Sequence, residues 1–408
     1  MILLKNGMLY DSGSHRIYRE LPSGPSPKKN SDDACAKNMR DRSYSLGSGK
    51  ARRVVLILTE RCNLGCSYCY AGKGAYGKSS LNRIQAQQID DEVSFLERTF
   101  PLGIEHLQFF GGEPLLEIRA IGELCERASN SFSMRESARS IVTNGTVLNE
   151  SILEVLVSNN ISVTVSLDGP AELHDRYRVF KKGGRGSFES IIKNAERMAS
   201  GGLNLAVQLT VSPATVEAYL EERLNVEAFM DQLVSVGVKY LHLSPVIDIH
   251  GGKFAFSQEQ FAGLGDLQSR MIAAAHARGL RNNAVAEAYN FLTKRQCNPG
   301  YCGAGLDEIT IDVNGDLYPC FMLINRSGYR LGTIRDGVTN SALVADLEAN
   351  RKSCSTVCSR CPIKDVCKSC IGASVIENGS VSRPSRSMCE FLQNNYFFGV
   401  NELIESIK

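Results

Sequence analysis

From residue 54 onward the chain alternates short runs of β-branched and apolar residues with longer segments in which apolar positions recur every three or four residues. Runs of the first kind, at 54–58, 106–110, 140–143, 162–167, 204–211 and 240–244, predict strands. Segments of the second kind, at 85–99, 116–129, 150–157, 188–199, 225–236 and 258–277, predict helices. This rhythm predicts parallel βα units and an α/β fold. Six units in one stretch favour a partial or closed barrel over two unrelated domains, with functional side chains at the C-terminal ends of the strands.

The pattern differs at both ends. Residues 1–4 and 8–10 are apolar, and 16–18 follow a Ser-Gly-Ser turn, so a short hairpin is expected there. Residues 21–50, rich in Ser, Pro, Gly, Lys and Asp, predict a mobile linker, with a boundary near Arg52. After about residue 295 the rhythm stops. Segments 308–312 and 316–320 flank Asn314-Gly315, a strong hairpin signal. Three segments follow: 1–52, 53–280 and 281–408.

The chain has 408 residues, 43% hydrophobic and 22% charged, the usage of an ordinary globular protein, which excludes a mostly disordered or fibrous chain. Lys plus Arg number 46 against 44 Asp plus Glu, so no global field gathers nucleic acid or an anionic membrane. The longest apolar runs fall far short of the ~18 residues that span a bilayer, and residues 1–7 carry no signal-like apolar core. A cytoplasmic protein without nucleic-acid or membrane partners is expected.

Cysteine changes the picture. Nine of the 14 Cys fall in the last 112 residues: Cys297, Cys302, Cys320, Cys354, Cys358, Cys361, Cys367, Cys370 and Cys389. With no export signal, a reducing compartment disfavours a disulfide framework and favours metal or cluster ligation. Cys62, Cys66 and Cys69 form a C-x3-C-x2-C run directly after the first predicted strand. Three thiolates on one loop suffice for three irons of a cubane cluster and leave the fourth iron open. Structural zinc takes four ligands, commonly in C-x2-C pairs, and this loop has neither a fourth Cys nor a His beside it.

Other motifs end the next strands. In Gly111-Gly112-Glu113-Pro114 the glycines let backbone approach a ligand, and the carboxylate offers charge-assisted hydrogen bonds to an ammonium. Thr143-Asn144-Gly145 ends the third strand, as a ligand contact or a plain turn. Ser166-Leu-Asp168-Gly-Pro ends the fourth, and Arg178 follows, either as a fork for a carboxylate or as one more cation of a basic loop.

In this order the motifs resemble the radical S-adenosylmethionine (SAM) superfamily over roughly 54–277, which implies an α/β fold with a partial (β/α)6 barrel. The resemblance implies that Cys62, Cys66 and Cys69 hold a [4Fe-4S] cluster whose open iron chelates SAM. It further implies that an electron cleaves SAM to a 5'-deoxyadenosyl radical, which abstracts a substrate hydrogen. Gly111, Gly112, Glu113 and Pro114 then contact the SAM amino group, Ser166 the ribose and Arg178 the carboxylate, with Asp168 among the cofactor-binding residues. Tyr68 packs against adenine, and Thr143 and Asn144 line the same mouth. The C-terminal Cys array resembles the SPASM domain of peptide-modifying radical SAM enzymes. Carried over, Cys297, Cys302, Cys320 and Cys370 hold one auxiliary [4Fe-4S] cluster, and Cys358, Cys361, Cys367 and Cys389 a second, three clusters in all. Cys367 and Cys370 are two residues apart where the family usually has three, so Cys354 is an alternative to Cys370. Two zinc ribbons would also use eight Cys. Cys35 and Cys125 fit neither array and are expected to be an exposed linker thiol and a buried helix residue.

The activity implied is that of a radical SAM maturase installing a thioether or carbon–carbon crosslink in a ribosomally synthesised precursor peptide, with an electron donor such as flavodoxin or ferredoxin. The alternative within the superfamily is an anaerobic sulfatase maturase forming formylglycine, which the segment 166–188 resembles. Those enzymes carry an Asp base directly after the Cys that matches Cys320, where this chain has Phe321. A noncatalytic iron–sulfur or zinc scaffold gives no reason for the Cys triad and Gly-Gly-Glu-Pro to stand in register.

Overall fold

The computed structural model describes residues 2–4, 8–11, 16–18, 46–76, 82–249, 251–294, 298 and 300–406. Cys35, Cys297 and most of the expected linker lie outside them. The N-terminal pattern forms a small antiparallel sheet of β1 (Ile2–Leu3), β2 (Leu9–Asp11) and β3 (Arg16–Tyr18). The described end of the linker is already paired, since β4 (Lys50–Ala51) runs parallel to the short strand Gly103–Ile104.

Each of the six expected strands forms. They are β5 (Arg53–Thr59) and, after β6 (Gly103–Ile104), β7 (His106–Gly111), β8 (Ala138–Thr143), β9 (Ile161–Ser166), β10 (Leu205–Val211) and β11 (Tyr240–Pro245). All are parallel, in the spatial order β11-β10-β9-β8-β7-β5, with β12 (Arg281–Asn282) beyond β11. Alternation sets the layers: Val54, Leu56, Leu58, Leu107 and Phe109 join the core with Ile89, Phe95 and Leu96 of the helix Ala86–Thr99 and Ile121 and Leu124 of the helix Ile118–Asn130. Cys125 is buried on that second helix, as expected. Val55 and Ile57 point the other way and pack with Tyr76, Val313 and Tyr318.

The sheet does not stop at the sixth unit. β13 (Glu308–Ile311) lies parallel to β5, pairing Glu308 with Arg53 and Ile311 with Leu56. The hairpin at Asn314-Gly315 then adds β14 (Asp316–Tyr318), followed by β15 (Gly332–Thr333) and β16 (Gly337–Val338), all antiparallel. Gly315 takes φ +81°, and the Asp312 carboxylate accepts the N–H groups of Asn314 and Asp316, which closes the turn. The sheet of eleven strands thus joins both expected major segments.

The helix expected at 116–129 begins as a 3-10 turn, Pro114–Glu117, because Pro114 occupies a first-turn position and the Glu113 carboxylate caps the Leu115 N–H. A long helix, Arg386–Ser406, lies outside the expectations above. Its Tyr396, Val400 and Ile404 pack on Ala288 and Phe291 of the helix Asn283–Lys294 and on Leu4 and Tyr10 of the N-terminal sheet. Among the described residues no helix is long and apolar enough to cross a membrane.

Candidate active site and thiol groups

The loop after β5 is held by backbone on both sides. On one side Gly112 N–H donates to Thr59 O (2.8 Å) and Glu113 N–H to Arg61 O (2.8 Å). A Cβ at Gly112 would stand 2.3 Å from Arg61 O, and one at Gly111, which sits at φ +146°, 2.5 Å from Thr59 O. The two glycines therefore dock the Cys loop itself, a role besides the backbone approach to a ligand expected of them. On the other side, Gly65 N–H donates to Val179 O (2.8 Å), Ser67 N–H to Tyr177 O (3.2 Å) and Lys181 N–H to Asn63 O (2.9 Å). Segment 177–181 thus zips antiparallel onto the loop and brings Arg178 to it.

The motif residues converge around the thiols. Fully buried Glu113 accepts hydrogen bonds from Leu115 N–H (3.0 Å), Thr143 Oγ1 (2.6 Å) and Asn144 N–H (2.7 Å). Burial pushes its carboxyl up to about 7, against the pull of these donors and of Arg178. Asn144 Nδ2 donates to Asn63 Oδ1 (2.9 Å) and faces Cys62 Sγ at 3.7 Å. Arg178 Nε pairs with Asp168 Oδ2 at 3.0 Å, its Nη1 faces Cys66 Sγ at 3.9 Å and its guanidinium lies 5.5 Å over the Tyr68 ring. Tyr68 O–H donates to the same Asp168 oxygen, and its ring meets Tyr177 and Phe254 edge-on. Asp168 Oδ1 is buried without a partner. Ser166 ends β9 half-buried.

One residue of this network carried no role in the motif reading. His174 Nδ1 accepts the Asp168 N–H (3.3 Å), and its Nε2 pairs with Ser187 Oγ (2.9 Å), which donates to Arg178 O (2.8 Å). Since Nδ1 accepts, Nε2 carries the proton and the ring is neutral. Burial lowers its pKa to about 4, against the pull of Asp168. The ring thus ties Asp168 to Arg178. Its helix, Ala171–Asp175, is too short to leave a periodic signal.

The thiols of Cys62, Cys66 and Cys69 are half-buried. Burial pushes Cys66 up to about 12, while the Arg178 charge pulls it down and the charges of Cys69 and Cys62 raise it. Cys62 is raised by burial against a hydrogen bond from the Leu64 N–H. Three sulfurs in one another's field, ringed by N–H donors and a guanidinium, fit anionic sulfur ligation of a cationic cluster.

The C-terminal thiols gather in two groups. Burial raises Cys320 and Cys370, the latter to about 12, and each also feels the charge of Cys302. The N–H groups of Met322 and Ala373 approach the sulfurs of Cys320 and Cys370, each at 3.4 Å. Cys389, pushed up to about 12 by burial, faces the charges of Cys367, Cys358 and Cys361. Tyr301 O–H lies 3.5 Å from Cys358 Sγ. Cys354 is exposed, 4.0 Å from Ser353 Oγ, whereas Cys370 stands with Cys302 and Cys320. In both groups the sulfurs lie within one another's field, which fits sulfur ligation. Between them and the loop after β5, Phe321 stacks on Phe110 (4.7 Å between centroids) and leans on Tyr70 (5.7 Å).

Comparison with known proteins agrees with this geometry. The family model described as the radical SAM superfamily matches residues 56–226, and the SPASM model, an iron–sulfur cluster-binding domain, matches 302–362. An uncharacterized protein of Methanocaldococcus jannaschii is 29% identical over 193 residues, 46% of this chain and 60% of that protein. The serine-type anaerobic sulfatase-maturating enzyme of Klebsiella aerogenes is 22% identical over 329 residues, 75% of this chain and 76% of its own. The radical SAM cyclopropyl synthase TigE of Paramaledivibacter caminithermalis is 23% identical over 381 residues, 88% of this chain and 75% of its own. Native anSMEcpe with bound AdoMet shares the fold at TM-score 0.70 and 18% identity, covering 87% of this chain and 100% of that one. Streptococcus suis SuiB bound to precursor peptide SuiA does so at TM-score 0.59 and 16% identity, covering 91% and 84%. The two domain types imply iron–sulfur clusters and SAM. The chain carries a radical SAM domain, the domain of a superfamily of enzymes, and behind it a SPASM domain.

Proposed function

We propose that this chain is a cytoplasmic peptide maturase that abstracts a side-chain hydrogen and installs a thioether or carbon–carbon crosslink in a ribosomally synthesised precursor peptide. The carrying observation is Phe321. It follows Cys320, stacks on Phe110 and neither accepts a proton nor orients a water. Three carboxylates nearby in sequence are engaged elsewhere: Asp307 with Arg52, Glu308 with Arg52 and Arg53, and Asp316 with Arg330. Formylglycine formation needs a base to take the hydroxyl or thiol proton as the Cβ centre is oxidised and leaves an aldehyde, whereas a crosslink loses its two hydrogens between two residues and leaves no carbonyl.

In this reading Cys62, Cys66 and Cys69 hold the SAM-binding [4Fe-4S] cluster. Cys297, Cys302, Cys320 and Cys370 hold one auxiliary cluster, and Cys358, Cys361, Cys367 and Cys389 the other. When bound, clusters and SAM supply one-electron radical chemistry, fed by a donor of the flavodoxin or ferredoxin kind. The chain binds, orients and shields. Glu113, with three of about four acceptor positions in use, offers the remainder to the SAM ammonium. Arg178 engages Asp168 through Nε and presents its Nη groups to the SAM carboxylate. Asp168 Oδ1 and Ser166 serve the ribose, and Tyr68 the adenine. Segments 53–280 and 281–408 divide these tasks.

The test is mass spectrometry after anaerobic reduction with SAM. The peptide encoded beside the gene should lose about 2 Da per modification and carry no hydrazine-reactive carbonyl, with release of 5'-deoxyadenosine. Aldehyde trapped by a hydrazine reagent on a sulfatase-derived peptide overturns the reading in favour of a sulfatase maturase.

A further inference from the structure

Among the described residues Lys352 is the most deeply placed cation of the C-terminal segment, 3% exposed, on the 3-10 turn Lys352–Cys354. Its ammonium donates to three main-chain carbonyls: Asn298 O (2.7 Å), Lys364 O (2.6 Å) and Cys367 O. An ammonium has three protons, so each has an acceptor and the group is fixed in place. The acceptors come from two stretches of chain. Lys364 and Cys367 lie on the turn that also carries Cys361, where Lys364 N–H donates to Cys361 O and Cys367 N–H to Ile363 O. Asn298 belongs to the stretch leading to Cys302, and its side chain donates to Cys367 O (3.0 Å) and Tyr301 O (3.0 Å).

This arrangement is costly if it is only a brace. Carbonyl dipoles satisfy the protons of a buried ammonium but leave its net charge in place, and a buried charge is retained where anions face it. The ammonium is bound to the main chain of Cys367 itself and of Lys364, whose N–H donates to Cys361 O, so it stands on the turn that carries two of the thiols assigned to one cluster.

We infer that Lys352 is a positioning residue for the second auxiliary cluster, holding the Cys361–Cys367 turn in shape and raising the reduction potential of the cluster that the Cys358, Cys361, Cys367 and Cys389 thiolates bind. This inference rests on the ligand assignment of the preceding section. Reduction adds a negative charge to a cluster, and a fixed cation in a water-poor setting favours the more negative state. Lys364, on the same turn, is exposed, and its charge is screened.

The test uses the full chain, reconstituted anaerobically, as wild type, Lys352→Met, Lys352→Gln and Lys364→Met. Iron is counted, and the potentials are read by titration followed by electron paramagnetic resonance. Lys352→Gln keeps a hydrogen-bond donor without charge, so it reports on the charge even where Lys352→Met fails to assemble. The expected result is wild-type iron with one auxiliary potential moved downward about tenfold in the one-electron equilibrium, ~59 mV, and little movement in Lys364→Met. Unchanged potentials at full iron content overturn the inference. Loss of about four irons from both Lys352 variants also overturns it, since the residue is then a strut alone. A wild type whose iron content is unaffected by Cys358→Ala instead refutes the ligand assignment, a distinct result.

Discussion

At the barrel mouth the loop bearing Cys62, Cys66 and Cys69 is bonded through its backbone to 111–113 on one flank and to 177–181 on the other, while strand ends supply Glu113, Thr143 and Asp168. In the C-terminal segment the thiols sit on local turns: Cys358 opens the 3-10 turn Cys358–Arg360, and Cys370 caps the helix Ile371–Asn378. Between residues 351 and 370 the buried side chains are Lys352, Cys358, Ile363 and Ser369, too few apolar groups for a core. The first site is shaped by a sheet, whereas the turns of the second have little core of their own and, on the proposed ligation, are held together by their cluster.

The sharpest way to break this contrast is to remove the ligands. Reconstituted wild type should hold about twelve irons. Replacing Cys62, Cys66 and Cys69 by Ala should remove about four, abolish SAM cleavage and leave the barrel as resistant to limited proteolysis as before. Replacing Cys358, Cys361 and Cys367 should open 351–370 to cleavage. Equal protection of both triple variants would erase the distinction.

His174 tests the pre-built half. Its folded pKa near 4, against 6.5 for an ordinary imidazole, means that the unfolded chain binds the extra proton between those values. The stabilisation is present above pH 6.5 and is lost as pH falls toward 4, by about 3 kcal/mol in total. Glu113 and Asp312, raised by burial to about 7 and about 6, act in the opposite sense over part of that range. The contribution is therefore read as the difference between wild type and His174→Gln in urea unfolding at pH 7 and pH 4, with wild type losing more. Equal losses would show that the ring is not held neutral.

A smaller effect is expected at Glu113. Glu113→Gln keeps the shape and removes a charge-assisted contact of ~1.5–3 kcal/mol, so SAM affinity measured calorimetrically should fall roughly ten- to a hundredfold with iron content unchanged.

Much of this was legible in the chain because the information is local. Period-two strands and the helix at 258–277 form where the apolar pattern places them. The triad and its companion motifs meet because each ends a strand of one parallel sheet. What escaped depends on distant contacts. The helix Arg386–Ser406 buries Asn395 and Asn401 on its packed face, and Gln268 of the helix Gln258–Ala277 donates to Asn395 at 2.8 Å, so polar residues interrupt the stripe that would announce it. His174 has a role only once Asp168 and Ser187 close around it. The Gly111 and Gly112 pattern was visible, but that their neighbour is the Cys loop follows from pairing between β5 and β7.

The pairing of β13 with β5 also bears on how the chain is made. β5 leaves the ribosome about 250 residues before its neighbour Glu308–Ile311. At ~5–20 residues per second the nascent chain waits roughly 10–50 s with one edge of a Val-, Leu- and Ile-rich strand unpaired. A product truncated before Glu308 keeps that edge open permanently, exposing an apolar strand to association with other chains.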